Sequence, residues 1–171
     1  YYLAENLGLP TLTDWIPGKT SPGLAAKWEF DGATSLKIWP KKNLKWSDGS
    51  SITSNEIKQN FQMFHDHPRY HLPSFRFLVS LSSNQEFITL NFSKPVPHIL
   101  EELCRADGVL FSGDWHKTSG PYYISSSSDK EVVLSKNTYF PSDLMDDYNP
   151  PEKIKMVFPP INDVDKLFEK R

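Results

Sequence analysis

At 171 residues, 38% hydrophobic and 13% aromatic, the chain is long enough to bury one sizeable core. A formal net charge of −2 leaves no basic excess to neutralise phosphates, which argues against a nucleic-acid partner for this segment. Fourteen prolines and eight glycines spread along the chain argue against a helical bundle, and no run of about 18 apolar residues is present to span a bilayer.

Residues 1 to 23 are dense in Gly, Pro and Thr and read as an extended leading segment, with one short helical turn around Tyr2 to Asn6. The start, Tyr1-Tyr2-Leu3-Ala4-Glu5, has neither a basic region nor a continuous apolar stretch of the kind that directs export. A signal already removed by processing would leave the same text. From Leu24 onward, Ala26, Trp28 and Phe30 alternate with polar residues, Asp31-Gly32 supplies a turn, and Leu36 and Ile38 resume the alternation, which predicts a β-hairpin.

The stretch Leu44 to Ile57 then joins a strand end at Trp46, turn chemistry at Ser47-Asp48-Gly49, and a helix start at Thr53. Thr53 followed three residues later by Glu56 forms a capping box. The helix carries Ile57, Phe61 and Phe64 on a narrow apolar stripe with Lys58, Gln62 and Asp66 opposite, and Pro68 ends it. At its C-terminus and beyond, His65, His67 and His71 lie within seven residues, a spacing that admits a transition-metal site. No cysteine or Glu-x-x-His pattern accompanies them, and histidine at a helix C-terminus meets the dipole favourably, so the ordinary structural reading is the stronger one.

Phe75 to Ser82 and Phe87 to Phe92 read as two paired strands around the turn Ser83-Asn84-Gln85-Glu86. Pro95 and Pro97 stop the second, and a short helix from His98 to Arg105 puts Ile99, Leu100, Leu103 and Cys104 on one side. Cys104, the single cysteine, reads as a buried thiol and says nothing of compartment. Val109 to Phe111 reads as a brief strand. Tyr122 to Ser126 and Glu131 to Ser135 flank Ser127-Ser128-Asp129-Lys130 as a further hairpin, Lys153 to Phe158 reads as a last strand, and Asn162 to Arg171 as a helix start. The fold class is therefore α+β: a β-rich mixture of hairpins and a few short helices.

Residues that could carry chemistry are sparse. No serine sits in a Gly-x-Ser-x-Gly elbow, and Ser112-Gly113-Asp114 near His116 is proximity in sequence without triad geometry. The acid pairs Glu101-Glu102 and Asp146-Asp147 are adjacent, so their side chains diverge and read as solvated surface. No phosphate-cradling glycine loop occurs, and no metal or cofactor site is predicted. Thr118-Ser119-Gly120-Pro121-Tyr122 differs in kind. A glycine turn with two hydroxyls before a strand can present backbone N–H groups and an aromatic ring to a cleft, or can be a plain loop before a hairpin.

Four segments in this order resemble the peptide- and nickel-type solute-binding proteins of bacterial ABC importers, the family 5 extracellular solute-binding proteins. They are Pro22-Gly23-Leu24-Ala25-Ala26-Lys27-Trp28-Glu29; Leu44-Lys45-Trp46-Ser47-Asp48-Gly49 running into Thr53-Ser54-Asn55-Glu56-Ile57; Lys94-Pro95-Val96-Pro97-His98-Ile99-Leu100; and Ser119-Gly120-Pro121-Tyr122 with Val132 to Phe140. The family commonly has Gly-Thr-Gly-Pro-Tyr where this chain has Thr118-Ser119-Gly120-Pro121-Tyr122, so the first glycine is replaced.

The resemblance implies a periplasmic-binding-protein-like lobe. Residues 1–171 would be an incomplete first lobe of a two-lobe protein, with about 40–110 as a small subdomain and 162–171 starting the crossover to a second lobe. It implies non-catalytic capture of an oligopeptide or similar small solute, delivery to an ABC permease in the membrane, and a periplasmic or membrane-anchored extracellular location. The ligand-binding residues it suggests are Tyr2 and Asn6 in the leading segment and Ser119, Gly120 and Tyr122 in the later loop. One wall of a cleft alone would bind weakly, and apolar surface left uncovered would favour self-association. Two other readings follow from the sequence. The lobe could be the cytoplasmic sensing domain of a transcription regulator, marked by DNA-binding helices upstream of Tyr1, or a hydrolase of cryptic geometry.

Overall fold

The computed structural model describes residues 13–16, 19–66, 72–104, 110, 112, 117–144 and 151–158. The alternation after Leu24 becomes β3 (Ala25–Asp31) and β4 (Ser35–Pro40), antiparallel, with Trp28 opposite Ile38 and Phe30 opposite Leu36. Gly32, at φ +69°, takes the left-handed conformation that turns the chain between them. Two further strands, β5 (Leu78–Ser83) and β6 (Ile88–Phe92), pair as expected, and β6 also lies against β4. The result is a four-stranded antiparallel sheet in the order β3-β4-β6-β5.

Helix α1 (Ser54–Asp66) is the capped helix, and the box is complete. The Thr53 backbone N–H and hydroxyl donate to Glu56 Oε2 at 2.8 and 2.9 Å, and the Glu56 N–H donates back to Thr53 Oγ1 at 3.2 Å. Its stripe of Ile57, Phe61 and Phe64 is buried in one cluster with Leu36, Ile38, Ile88 and Leu90 of the sheet. Burying each such side chain stabilises the fold by about 1.5–3 kcal/mol, so this contact outweighs the helix's own propensity. A short α2 (Ile99–Leu103), begun after Pro97, adds Ile99 and Leu103 to the same core.

A three-stranded antiparallel meander, β7 (Tyr122–Ser127), β8 (Glu131–Lys136) and β9 (Lys153–Val157), forms the second sheet, as the hairpin and last-strand signals anticipated. Leu134 pairs with both Ile124 and Ile154 and is its buried centre.

Three expectations are corrected. The segment before Leu24 is not merely extended: β1 (Thr13–Ile16) and β2 (Lys19–Pro22) form a hairpin. Trp46 does not close a strand, because 41–53 is a turn-rich loop held by one isolated bridge, Lys45 to Ser51. Pro73–Phe77 is a 3-10 helix where the start of a strand was expected. Pro73 at its first turn presets a helical φ, and Phe75 is drawn inward to pack on Phe61 with ring centres 5.6 Å apart. The short-helix expectation at Tyr2 to Asn6 and the helix start at 162–171 lie outside the described residues, as do 109 and 111 of the brief strand, and Leu110 between them is in no strand.

Candidate functional site

The loop at 117–121 and the turn at 46–50 are distant in sequence and meet in space, and their meeting follows from small polar residues placed to satisfy one another's backbone. Ser47 N–H donates to the Thr118 carbonyl at 2.9 Å, and Thr118 N–H donates to Ser47 Oγ at 3.2 Å. Asp48 closes the turn locally: its Oδ1 accepts from the Ser50 backbone at 2.9 Å and hydroxyl at 2.6 Å, while its Oδ2 faces Lys117 Nζ at 3.0 Å. Lys117 also donates to Ser50 Oγ at 2.8 Å and lies 5.6 Å from the centre of the Trp46 ring.

These partners set the charges. The Ser50 hydroxyl and N–H, followed by Lys117, hold the Asp48 carboxyl down to about 2. At Glu56 partial burial pushes the carboxyl up, but hydrogen bonds from Thr53 and Trp46 together outweigh it and leave the group below its ordinary range. Trp46 itself is 1% exposed and donates Nε1–H to Glu56 Oε1 at 3.1 Å, so the indole is a packing group with its polar atom satisfied.

Of the five residues suggested for ligand binding, Tyr2 and Asn6 lie outside the described residues. The other three are brought together at the start of β7, with different hydrogen-bonding capacity left to them. Gly120 N–H donates to Thr118 Oγ1 at 2.9 Å, and its carbonyl accepts from Asn137 Nδ2 at 2.8 Å. Tyr122 OH donates to the Pro151 carbonyl at 2.7 Å. Ser119 is 2% exposed, and its hydroxyl is the one buried side-chain oxygen without a hydrogen-bond partner among the described residues. Buried polar groups are nearly always paired, so this one keeps capacity for a group from outside the loop.

Sequence reading missed Asn137, which organises the loop. Besides Gly120, it donates its N–H to the Pro121 carbonyl at 2.7 Å and accepts Tyr139 N–H at Oδ1 at 2.9 Å, while 2% exposed. The available signal was an asparagine directly after a strand, the position of an Asx turn. Tyr139 in turn covers Gly49, which sits at φ +84° with no room for a Cβ: one would come within 2.9 Å of the tyrosine ring. Lys45 lies 5.1 Å from that ring's centre.

The histidines do not assemble with other ligands among the described residues. His65 Nδ1 lies 3.0 Å from the Phe75 carbonyl, His98 Nδ1 lies 3.1 Å from Glu101 Oε2, and no group of three metal-ligating side chains occurs there. His67, His71 and His116 lie outside them. No helix among the described residues is long and apolar enough to cross a membrane.

No protein-family model matches the chain, and no curated protein matches it. Solved structures do. The periplasmic murein tripeptide binding protein MppA, in its unliganded open form, superposes with a TM-score of 0.76 at 15% identity, over 97% of this chain and 38% of that one. NikA from Staphylococcus aureus, in complex with Ni(L-His)2, matches with a TM-score of 0.73 at 15% identity, over 100% of this chain and 42% of that one. A periplasmic oligopeptide-binding protein of an oligopeptide ABC transporter from Borrelia burgdorferi matches at 0.71 and 19% identity, over 91% and 37%. The chain thus spans about two fifths of the length of these structures and has the fold of that part of them. The resemblance drawn from the four sequence segments is borne out at the level of fold.

Proposed function

We propose that the chain forms part of the first lobe of a solute-binding component of an ABC import system, which captures a peptide or a similar small solute without chemistry and passes it to a membrane permease. The observation that carries this reading is the superposition on MppA over 97% of the chain, because the matched structures are of a murein tripeptide binding protein, of a protein in complex with Ni(L-His)2 and of an oligopeptide-binding protein. The location that accompanies it is periplasmic or extracellular. Within 1–171, the small subdomain is assigned to about 40–110.

Ligand contact is assigned to Tyr2 and Asn6 and to the loop of Ser119, Gly120 and Tyr122. Ser119 is favoured among the last three, because the polar side-chain or backbone groups of its neighbours already have partners whereas its hydroxyl has none. A peptide main chain can supply the missing partner, and capture of extended ligands through backbone groups suits a cleft of this kind.

The test is calorimetric titration of the full gene product with defined di- to pentapeptide pools and with nickel–histidine. Saturable binding by the wild type is expected, weakened about tenfold by Ser119→Ala through loss of one buried hydrogen bond to the ligand, and by a similar factor in Tyr122→Ala through loss of ring contact area. Unchanged affinity in both variants would remove the loop from the site. Absence of any saturable heat across the pools would overturn the solute-binding reading itself.

A further inference from the structure

The Ser119 hydroxyl is not only unpartnered but shut away, its oxygen out of contact with solvent in a residue 2% exposed. A solute cannot reach it while the loop keeps this arrangement. A buried hydroxyl without a partner also carries a desolvation cost that pairing would return, so the closed loop holds a reason to open.

The ties on the two sides of Ser119 are unequal. After it, the chain is held by one buried residue: Asn137 donates from Nδ2 to the Gly120 carbonyl at 2.8 Å and from its backbone to the Pro121 carbonyl at 2.7 Å. Before it, residues 117 and 118 rest on the turn at 46–50 through weaker ties. Lys117 Nζ and Asp48 Oδ2 stand 3.0 Å apart with 28% and 50% of their side chains exposed, and an exposed pair of that kind shifts an equilibrium by about fivefold at most. Ser47 and Thr118 exchange two hydrogen bonds, of 2.9 and 3.2 Å, and the Ser112 hydroxyl donates to the Lys117 carbonyl at 2.7 Å. Thr118 Oγ1 accepts the Gly120 N–H at 2.9 Å, so residues 118–120 form a closed turn able to shift as one piece.

We infer that the loop at 117–121 is a latch: residues 117 and 118 swing off the turn at 46–50 about the fixed end at Gly120 and Pro121, and the Ser119 hydroxyl becomes available to a solute. The inference rests on the solute-binding reading for what the open loop takes up. The pair of Lys117 and Asp48 then opposes binding, because a ligand that selects an open loop has its affinity lowered in proportion to the fraction of molecules in which that loop is open. A residue that shaped a preformed site would act in the opposite sense, and its loss would weaken binding.

The measurement is amide hydrogen exchange of the full gene product, resolved to single residues by mass spectrometry with electron-transfer fragmentation. Ser47 N–H is the reporter, since it donates across the latch to the Thr118 carbonyl and lies far in sequence from position 117. Expected in the wild type is exchange at Ser47 well ahead of the paired strands β4 and β6, whose amides report global opening. Lys117→Gln speeds it about three- to fivefold, as loss of one exposed ion pair warrants, and Lys117→Arg leaves it unchanged. Asn137 N–H, on the fixed side, keeps its rate in both variants. In titration with the di- to pentapeptide pools, Lys117→Gln tightens binding by the same factor, opposite in sense to Ser119→Ala. Exchange at Ser47 only together with the strands, or an unchanged rate in Lys117→Gln, overturns the latch whether or not a peptide binds. Faster exchange with weakened or unchanged binding overturns it as well, and makes the loop a preformed wall. Absence of saturable binding removes the solute-binding reading and leaves the exchange rates to decide the latch.

Discussion

Replacing Gly49 with alanine tests the contact between the turn at 46–50 and the Tyr139 ring. Gly49 holds φ +84°, a conformation that costs an L-residue about 1–2 kcal/mol. Alanine also lowers the entropy of the unfolded chain, which offsets roughly 0.5 kcal/mol of that cost. The second component is steric: the new methyl would stand 2.9 Å from Tyr139 Cζ and 3.0 Å from its hydroxyl oxygen. Tyr139 is 45% exposed, so its ring can swing away, and what is lost is its cover over the turn and the Lys45 contact, about 0.5–1 kcal/mol. The sum is a destabilisation of about 1–2.5 kcal/mol, or a fall in Tm of roughly 2–10 °C for a chain of this size. Urea unfolding of wild type, Gly49→Ala, Tyr139→Ala and the double variant gives the coupling directly. The double variant should retain the conformational part and lose the steric part, leaving a coupling of about 0.5 kcal/mol or more. A neutral or stabilising Gly49→Ala would refute the left-handed turn, and zero coupling would refute the ring contact.

Asn137→Ala removes a donor to the Gly120 carbonyl and an acceptor for Tyr139 N–H from a buried site, and should cost about 2–3 kcal/mol in urea unfolding. In the isolated chain Ser119→Ala, at equal burial, should stay within about 0.5 kcal/mol of wild type, because the hydroxyl it removes has no partner; a large loss would show that one exists. Asp48 has a folded pKa of about 2, below its ordinary value of 3.8, so it contributes stability that is full above about pH 4 and is lost as pH falls through about 2. Asp48→Asn should flatten the fall of the urea midpoint between pH 5 and pH 2.5, the acid limb being the readout. An unaltered limb would mean that the Ser50 and Lys117 contacts to Asp48 do not form in solution.

Local chemistry was legible and distant chemistry was not. Thr53 and Glu56 announced the helix start because both partners of the capping box lie within one turn, and the hairpins at 31–35 and 127–131 were readable because their turn residues lie between their strands. Trp46 misled because alternation of Leu44, Lys45 and Trp46 describes burial, and a turn with one bridge can bury two side chains as a strand does. Phe75 misled for the opposite reason: its aromatic, strand-favouring character was overridden by Pro73 and by packing on Phe61. Within the candidate site, Ser119, Gly120 and Tyr122 stood out as a turn before a strand. That Lys117 would reach Asp48, and Asn137 would hold Gly120, depends on contacts across chain separations that no local pattern encodes.

The clasp between Ser47 and Thr118 bridges 71 positions of sequence. Closing so long a loop costs chain entropy that two hydrogen bonds between small polar residues cannot recover by themselves, whereas β7, β8 and β9 pair with strands that follow one another along the chain. The order of assembly follows: the meander and the hairpins β3–β4 and β5–β6 gather first from pairings close in sequence, and the turn at 46–50 locks to the loop at 117–121 afterwards. Variants in that lock, Gly49→Ala and Asn137→Ala among them, should then quicken unfolding and leave the refolding rate nearly unchanged.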